Sequence, residues 1–171
     1  MKAMMFREFG GPEVLRLEEI ETPQPKASEV LVKVHNVSVN VTLDILVRKG
    51  LYARKPPLPH VLGCAPTGEV VAVGAGVGKP KIGDRVFVHL TIHSPQCTPG
   101  QESRDPTFPT IIGIHRWGGY AEYVAVPAKN AFVLPDNVSY RDATVLMRHL
   151  PTARHQLYAR AQLQKGEWVL V

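Results

Sequence analysis

Cysteine is almost absent from this chain: of its 171 residues only Cys64 and Cys97 carry a thiol, and they stand in no framework spacing. A fold stapled by disulfides is excluded, and a reducing, cytoplasmic setting is the expectation. No apolar run approaches the roughly 20 residues that span a bilayer, and no amino-terminal stretch joins basic residues to an apolar run as a secretory leader would. No membrane partner is therefore expected. Blocks of like charge are missing as well. Lys and Arg number 20 against 15 Asp and Glu, a net charge of +5, but the basic residues are scattered singly. Such a surplus reads as a solvated surface that tolerates an anionic cofactor, with no nucleic acid as partner. Internal repeats and low-complexity tracts are not found.

What the chain does hold is 44% hydrophobic residues, enough for an ordinary core in one or at most two domains. Gly and Pro punctuate short Val-rich stretches, the pattern of a mainly β unit with long connections. Met1 to Phe6 and Val14 to Glu19 read as a pair of strands around Gly10-Gly11-Pro12. Glu29 to Val39 alternates Val30, Val32 and Val34, as one core face, against Leu31, Lys33 and His35. Glu69 to Val73, Arg85 to His89 and Tyr120 to Val126 supply further strands, and together these close a small, partly open barrel over residues 1–138. The stretch from Ser94 to Thr110 reads as a long loop or lobe.

After Pro135 the texture changes. Ser139 is a cap for a helix over Tyr140 to Met147, and Thr152 is a cap for a second over Ala153 to Ala161. These would connect two domains. Gln164 to Val171 (QKGEWVLV) reads as a turn and then a strand, Glu167 to Val171, whose continuous apolar run fits a sheet covered on both faces. Residues 139–171 are thus expected to be interdomain helices and the first strand of a further domain.

The ordered series KAMMFREFGGPEVL, VLVKVHNVSVN, DILVRKG, PLPHVLG, GEVVAVG, GDRVF and GGYAEYV resembles the medium-chain dehydrogenase/reductase superfamily, both zinc alcohol dehydrogenases and quinone oxidoreductases. The resemblance implies a GroES-like, partly open β-barrel, with connecting helices leading into the start of a truncated Rossmann domain. It implies NAD or NADP as cofactor, a small-molecule substrate and a homo-oligomer. In the zinc-dependent members a Cys-His-Thr/Ser-Asp run supplies a metal ligand and a proton-relay hydroxyl. Counting back from Arg48-Lys49-Gly50, that run falls on Val41-Thr42-Leu43-Asp44.

Valine has no lone pair for a metal and leucine cannot pass a proton, so only Asp44 survives. The family's Gly-His-Glu falls on Gly63-Cys64-Ala65, with a thiol for imidazole and a methyl for carboxylate. A catalytic zinc needs three protein ligands and an open position. The last ligand position falls on Arg148, where a cation would repel a metal, and zinc is not expected. A displaced site using His149, His35, His60 or His155 is the competing reading, although scattered histidines are more often surface or core residues. Cys64 is either a small buried apolar residue or a thiol lining the substrate pocket. The structural zinc lobe of the family would need four cysteines, and this chain offers Cys97 alone there.

Zinc-free members of the superfamily pass hydride from a nicotinamide to a quinone or an activated double bond, which requires positioning and hydrogen-bond donors but no Lewis acid. Gly50-Leu51-Tyr52 followed by Arg54-Lys55-Pro56 resembles their pocket entrance. The pocket candidates are Asn40, Thr42, Asp44, Tyr52, Cys64 and Arg148. Gly74-Ala75-Gly76-Val77-Gly78 mimics a dinucleotide turn, but its third glycine comes too early and Lys79-Pro80 forbids a helix, so it reads as a β-turn. The cofactor's main site is expected after Val171, which would leave this stretch inactive alone. Three functions stay open: a zinc-free NAD(P)H-dependent reductase of quinones, enones or carbonyls, an alcohol dehydrogenase with displaced metal ligands, and a non-enzymatic scaffold.

Overall fold

A computed structural model describes residues 1–93 and 109–170. The lobe reading and Cys97 lie outside the described residues. The amino-terminal strand β1 (Lys2–Phe6) runs antiparallel to β2 (Arg16–Glu19) and to β4 (His60–Val61), making a sheet of order β2-β1-β4. Between β1 and β2 the chain turns through a single 3-10 turn, Pro12–Val14, with proline at its first position where the missing N–H costs nothing. The larger sheet has five strands in the order β10-β6-β5-β3-β9: β3 (Glu29–Asn36), β5 (Thr67–Val73), β6 (Arg85–Val88), β9 (Tyr123–Pro127) and β10 (Ala131–Val133), all antiparallel. A short ribbon of β7 (Thr91–Ile92) and β8 (Thr110–Ile111) completes the β structure.

Strand period explains the core. Val30 and Val32 point inward with Val70, Val86, Val88, Val124 and Val126, all at or near zero exposure, and Val34 packs against them. Lys33 and His35 face outward as the alternation requires, while Leu31 is covered as well. Gly68 permits the close seam between β3 and β5, since a Cβ there would sit 2.0 Å from the Lys33 carbonyl oxygen. The strands expected for the barrel differ only at their ends. β3 stops at Asn36, and β9 begins at Tyr123 because Gly118 and Gly119 press against Gly63 and Pro66, too tightly for a regular ladder.

Two helices flank the sheets. α1 (Val41–Arg48) follows β3 directly, and α2 (Tyr140–Arg154) starts at the expected cap, Ser139, whose Oγ accepts from the Asp142 N–H at 3.0 Å. Thr152 does not cap a second helix. α2 runs through Pro151 and continues over 155–160 in a wider, π-type winding. Proline's fixed φ is helical, and the one hydrogen bond that it removes falls where the helix is exposed and water can serve the free carbonyl. Thr67 in β5 docks the helix. Its hydroxyl lies 2.7 Å from the Thr144 hydroxyl and donates to the Tyr140 carbonyl at 3.1 Å. The expected strand at Glu167 is not formed among the described residues: 167–170 join no strand, Glu167 bonding only back to Gln164, and Trp168 and Leu170 are fully exposed. A lone extended segment has no ladder to complete. Gly74 to Gly78 is a β-turn, as its glycine spacing implied, with Gly76 at φ +79°.

Candidate functional site

Asn40 ends the segment after β3 and caps α1. Its side-chain oxygen accepts from the Leu43 N–H at 3.2 Å, and its own backbone N–H donates to Oδ2 of Asp44 at 3.0 Å. Reciprocal bonds of this kind fix the first turn of the helix and with it the carboxylate. The Tyr120 hydroxyl donates to the same Oδ2 at 2.5 Å. Tyr120 is held there by its backbone, which donates to the Leu62 carbonyl at 2.9 Å and accepts from the Met4 N–H at 2.7 Å. A Cβ at Gly118 would come within 2.3 Å of the Gly63 carbonyl oxygen, so only glycine lets the Tyr120 segment lie this close.

Burial raises the Asp44 carboxyl above the usual carboxylate range, although the Tyr120 hydroxyl, the Asn40 amide and the Arg148 charge all act to lower it. The Tyr120 phenol is pushed well above its ordinary value by burial and by the carboxylate that it serves. Cys64 is buried beside Leu62 and Ile114, and burial, reinforced by the Asp44 charge, pushes its thiol up to about 12. The Arg148 charge opposes both effects and also lowers His89, so it is felt at this corner, and its Nε is buried without a hydrogen-bond partner.

Asp44, Tyr120 and Arg48 line a cleft of about 260 Å³ whose remaining wall is apolar, with Leu15, Ile45 and Leu62 among its residues. Arg48 is 6% exposed and its Nη1 has no partner. Of the residues singled out from the sequence, Asn40, Asp44, Cys64 and Arg148 gather at this corner. Thr42 lies exposed on α1 and is not part of the cleft wall. Tyr52 packs on the Cys64 cluster, with its ring 6.3 Å from that of His115. Sequence reading missed Tyr120 and Arg48. The first hides in a strand motif, where only the preceding Gly118-Gly119 marks a close approach, and the second served merely as a landmark for counting.

The residues aligned with the family's catalytic zinc do not assemble a donor set. Val41 is exposed and has no lone pair, Asp44 already accepts two hydrogen bonds, and the Cys64 thiol is shut into the core. The histidines stay apart from one another: His60 is fully buried against Phe6, His35 stacks on Tyr140 at 4.5 Å, and His149 and His155 are exposed. Among the described residues no three His, Cys, Asp or Glu come together to hold a metal ion. A second cavity of about 270 Å³, near Met1, Trp117 and Tyr123, contains Arg116, already bound to Glu29 and to the Ala125 carbonyl, and none of the pocket candidates named from the sequence.

An antiparallel, partly open barrel with its ionisable groups gathered between α1, α2 and the Gly119 turn is the architecture of a dehydrogenase catalytic domain. The chain belongs to the alcohol dehydrogenase GroES-like domain family, whose profile matches residues 26–136, and through it to the medium-chain dehydrogenase/reductase superfamily. It is 34% identical over its whole length to a quinone oxidoreductase of Rattus norvegicus, of which it covers 45%. It superposes on the crystal structure of an NAD-dependent alcohol dehydrogenase with a TM-score of 0.89 and 36% identity, covering 98% of this chain and 49% of the other. A quinone oxidoreductase of Pseudomonas syringae gives 0.73 and 31%, covering 95% and 42%. The chain thus spans about half the length of the relatives that it matches. Among the described residues no helix is long and apolar enough to cross a membrane.

Proposed function

We propose that this domain forms the substrate side of an NAD(P)H-dependent, zinc-free reductase of quinones, enones or related carbonyl compounds. The observation that carries the reading is the double capture of Asp44 by Tyr120 and Asn40, where zinc-dependent members use the equivalent motif to build a metal site. A carboxylate already holding two hydrogen bonds is a poor recruit for a metal, and a cation at Arg148 makes the corner poorer still. Similarity to quinone oxidoreductases over the full chain supports the same choice.

A nicotinamide bound against the cleft would supply the hydride. The chain's own residues then have three tasks. The apolar wall formed by Leu15, Ile45 and Leu62 takes a flat ring and excludes water. The Asp44 and Tyr120 pair holds one proton on the phenol oxygen at the cleft edge, in a fixed direction. The Arg148 charge offsets negative charge that develops on a substrate oxygen in this corner.

The test uses a longer chain carrying the nucleotide-binding half. NADH and NADPH oxidation would be followed with 1,4-benzoquinone, and reduction of NAD+ and NADP+ with a primary alcohol, each with and without a strong chelator, beside elemental analysis. Quinone turnover that survives chelation, in protein without stoichiometric zinc, is the expected result. Alcohol oxidation abolished by the chelator would establish the displaced-metal reading instead, and no turnover with either would favour a scaffold.

A further inference from the structure

The cleft is apolar apart from the Asp44 and Tyr120 pair and Arg48, which also lines it. Arg48 ends α1, is 94% removed from solvent, and leaves Nη1 buried with no acceptor. Among the described residues no carboxylate forms an ion pair with it, and the nearest acidic group of the cleft, Asp44, is bound instead by Tyr120 and Asn40. Buried arginines are ordinarily paired, because an unpaired cation in an apolar setting loses its hydration without return.

We propose that Arg48 is a specificity-determining residue that receives an anionic oxygen carried on the ring of the substrate. The ligand class is a planar apolar ring bearing one acidic oxygen group, such as a hydroxyquinone anion or an aromatic carboxylate. The shape follows from the cleft: about 260 Å³, apolar walls from Leu15, Ile45 and Leu62, Arg48 on its wall, and an Asp44 carboxylate already taken up by Tyr120 and Asn40. A guanidinium offers two parallel N–H donors, so a carboxylate or an enolate beside a carbonyl meets it with two acceptors at once. A neutral ring would fill the apolar space and leave Nη1 unsatisfied. The proposal rests on this cleft being the substrate cleft of the reductase.

Binding and turnover must be tested apart. The 171-residue chain would be titrated with 2-naphthoate and with 2-naphthamide, two redox-inert probes of the same ring and nearly the same size that differ in charge. The naphthoate should bind at least about tenfold more tightly, because the bond to a charged acceptor is the stronger one. Arg48→Met should erase that preference and leave the amide's affinity unchanged. In the unaltered protein the Arg48 Nε–H resonance should move with naphthoate and stay in place with naphthamide, a readout that needs no variant to fold. Equal affinities, a preference that survives Arg48→Met, or a stationary Arg48 resonance would each overturn the proposal. Quinone turnover by the longer chain without any naphthoate preference sinks this inference alone. Naphthoate preference without turnover sinks only the reductase.

Discussion

The Tyr120 hydroxyl and the Asp44 carboxylate, 76 positions apart in sequence, meet at 2.5 Å across the junction of α1 and the glycine turn before β9. That bond ties the helix carrying the motif remnant to the sheet, and it acts on the titration of both partners, opposing burial at Asp44 and adding to it at Tyr120. It also supplies the most direct test of the site.

Tyr120→Phe keeps the ring and removes the donor. The buried carboxylate then depends on the Asn40 amide alone, so stability should fall by about 1.5–3 kcal/mol in denaturant unfolding. Because the Tyr120 bond lowers Asp44 against burial, the Asp44 carboxyl should titrate higher still in the variant, by carbon-detected NMR. An unchanged Asp44 titration would show that the phenol does not donate to it.

His60 gives the protein an acid limit. Its imidazole is fully buried beside Phe6, neither ring nitrogen has a well-formed hydrogen bond, and burial lowers it to about 4, with the nearby Gly113 backbone opposing and His115 assisting. The unfolded chain takes up a proton near 6.5 while the folded one resists, so the stability present above pH 6.5 is lost as pH falls to about 4, a loss on the order of 3 kcal/mol. His60→Leu should flatten that part of the unfolding free energy against pH. A wild-type curve without slope there would contradict the burial.

Cys64 should resist a thiol reagent until the protein unfolds. At 2% exposure, with its thiol pushed up to about 12, it presents almost no thiolate at neutral pH. Peptide mapping after labelling distinguishes it from Cys97. Labelling of Cys64 in the folded state would mean that the cleft opens to it.

Gly68→Ala should cost about 2 kcal/mol or more, because the added methyl would stand 2.0 Å from the Lys33 carbonyl oxygen inside the β3 and β5 seam. Gly78→Ala, with open space around it, is the control and should leave the melting temperature unchanged.

Arg48→Met should raise the melting temperature. Replacing a buried unpaired cation with an apolar chain of similar length removes a desolvation cost. A fall would mean that Arg48 has a structural partner.

The barrel was legible because strand alternation and glycine punctuation are local. Val30 and Val32 sit on the core face that the period of two assigns, and Ser139 caps where its neighbours imply. Helix α2 was misread as two because Thr152 is a good cap in isolation, whereas an exposed Pro151 costs too little to break a helix already docked through Thr144. The strand at Glu167 was misread because an apolar run states what a segment would bury and not whether a neighbour exists. At the site, motif alignment found Asp44 and Cys64 but was blind to Tyr120, whose role depends on a contact between distant segments. Arg48 lay within the quoted motif, yet nothing in its spacing marks a side chain as unpaired.

His35 and Arg85 stack on Tyr140 at the start of α2, and one turn on the helix is clasped to the sheet by two neutral hydroxyls, Thr67 and Thr144, and a backbone carbonyl. Neither the hydroxyls nor the carbonyl titrates in the range where Asp44, His60 or a bound anion changes charge. Acid that changes the charge of Asp44 therefore leaves these hydroxyl bonds of α2 unaltered, so the electrostatics of the cleft and this part of the helix's anchoring are set by independent chemistry.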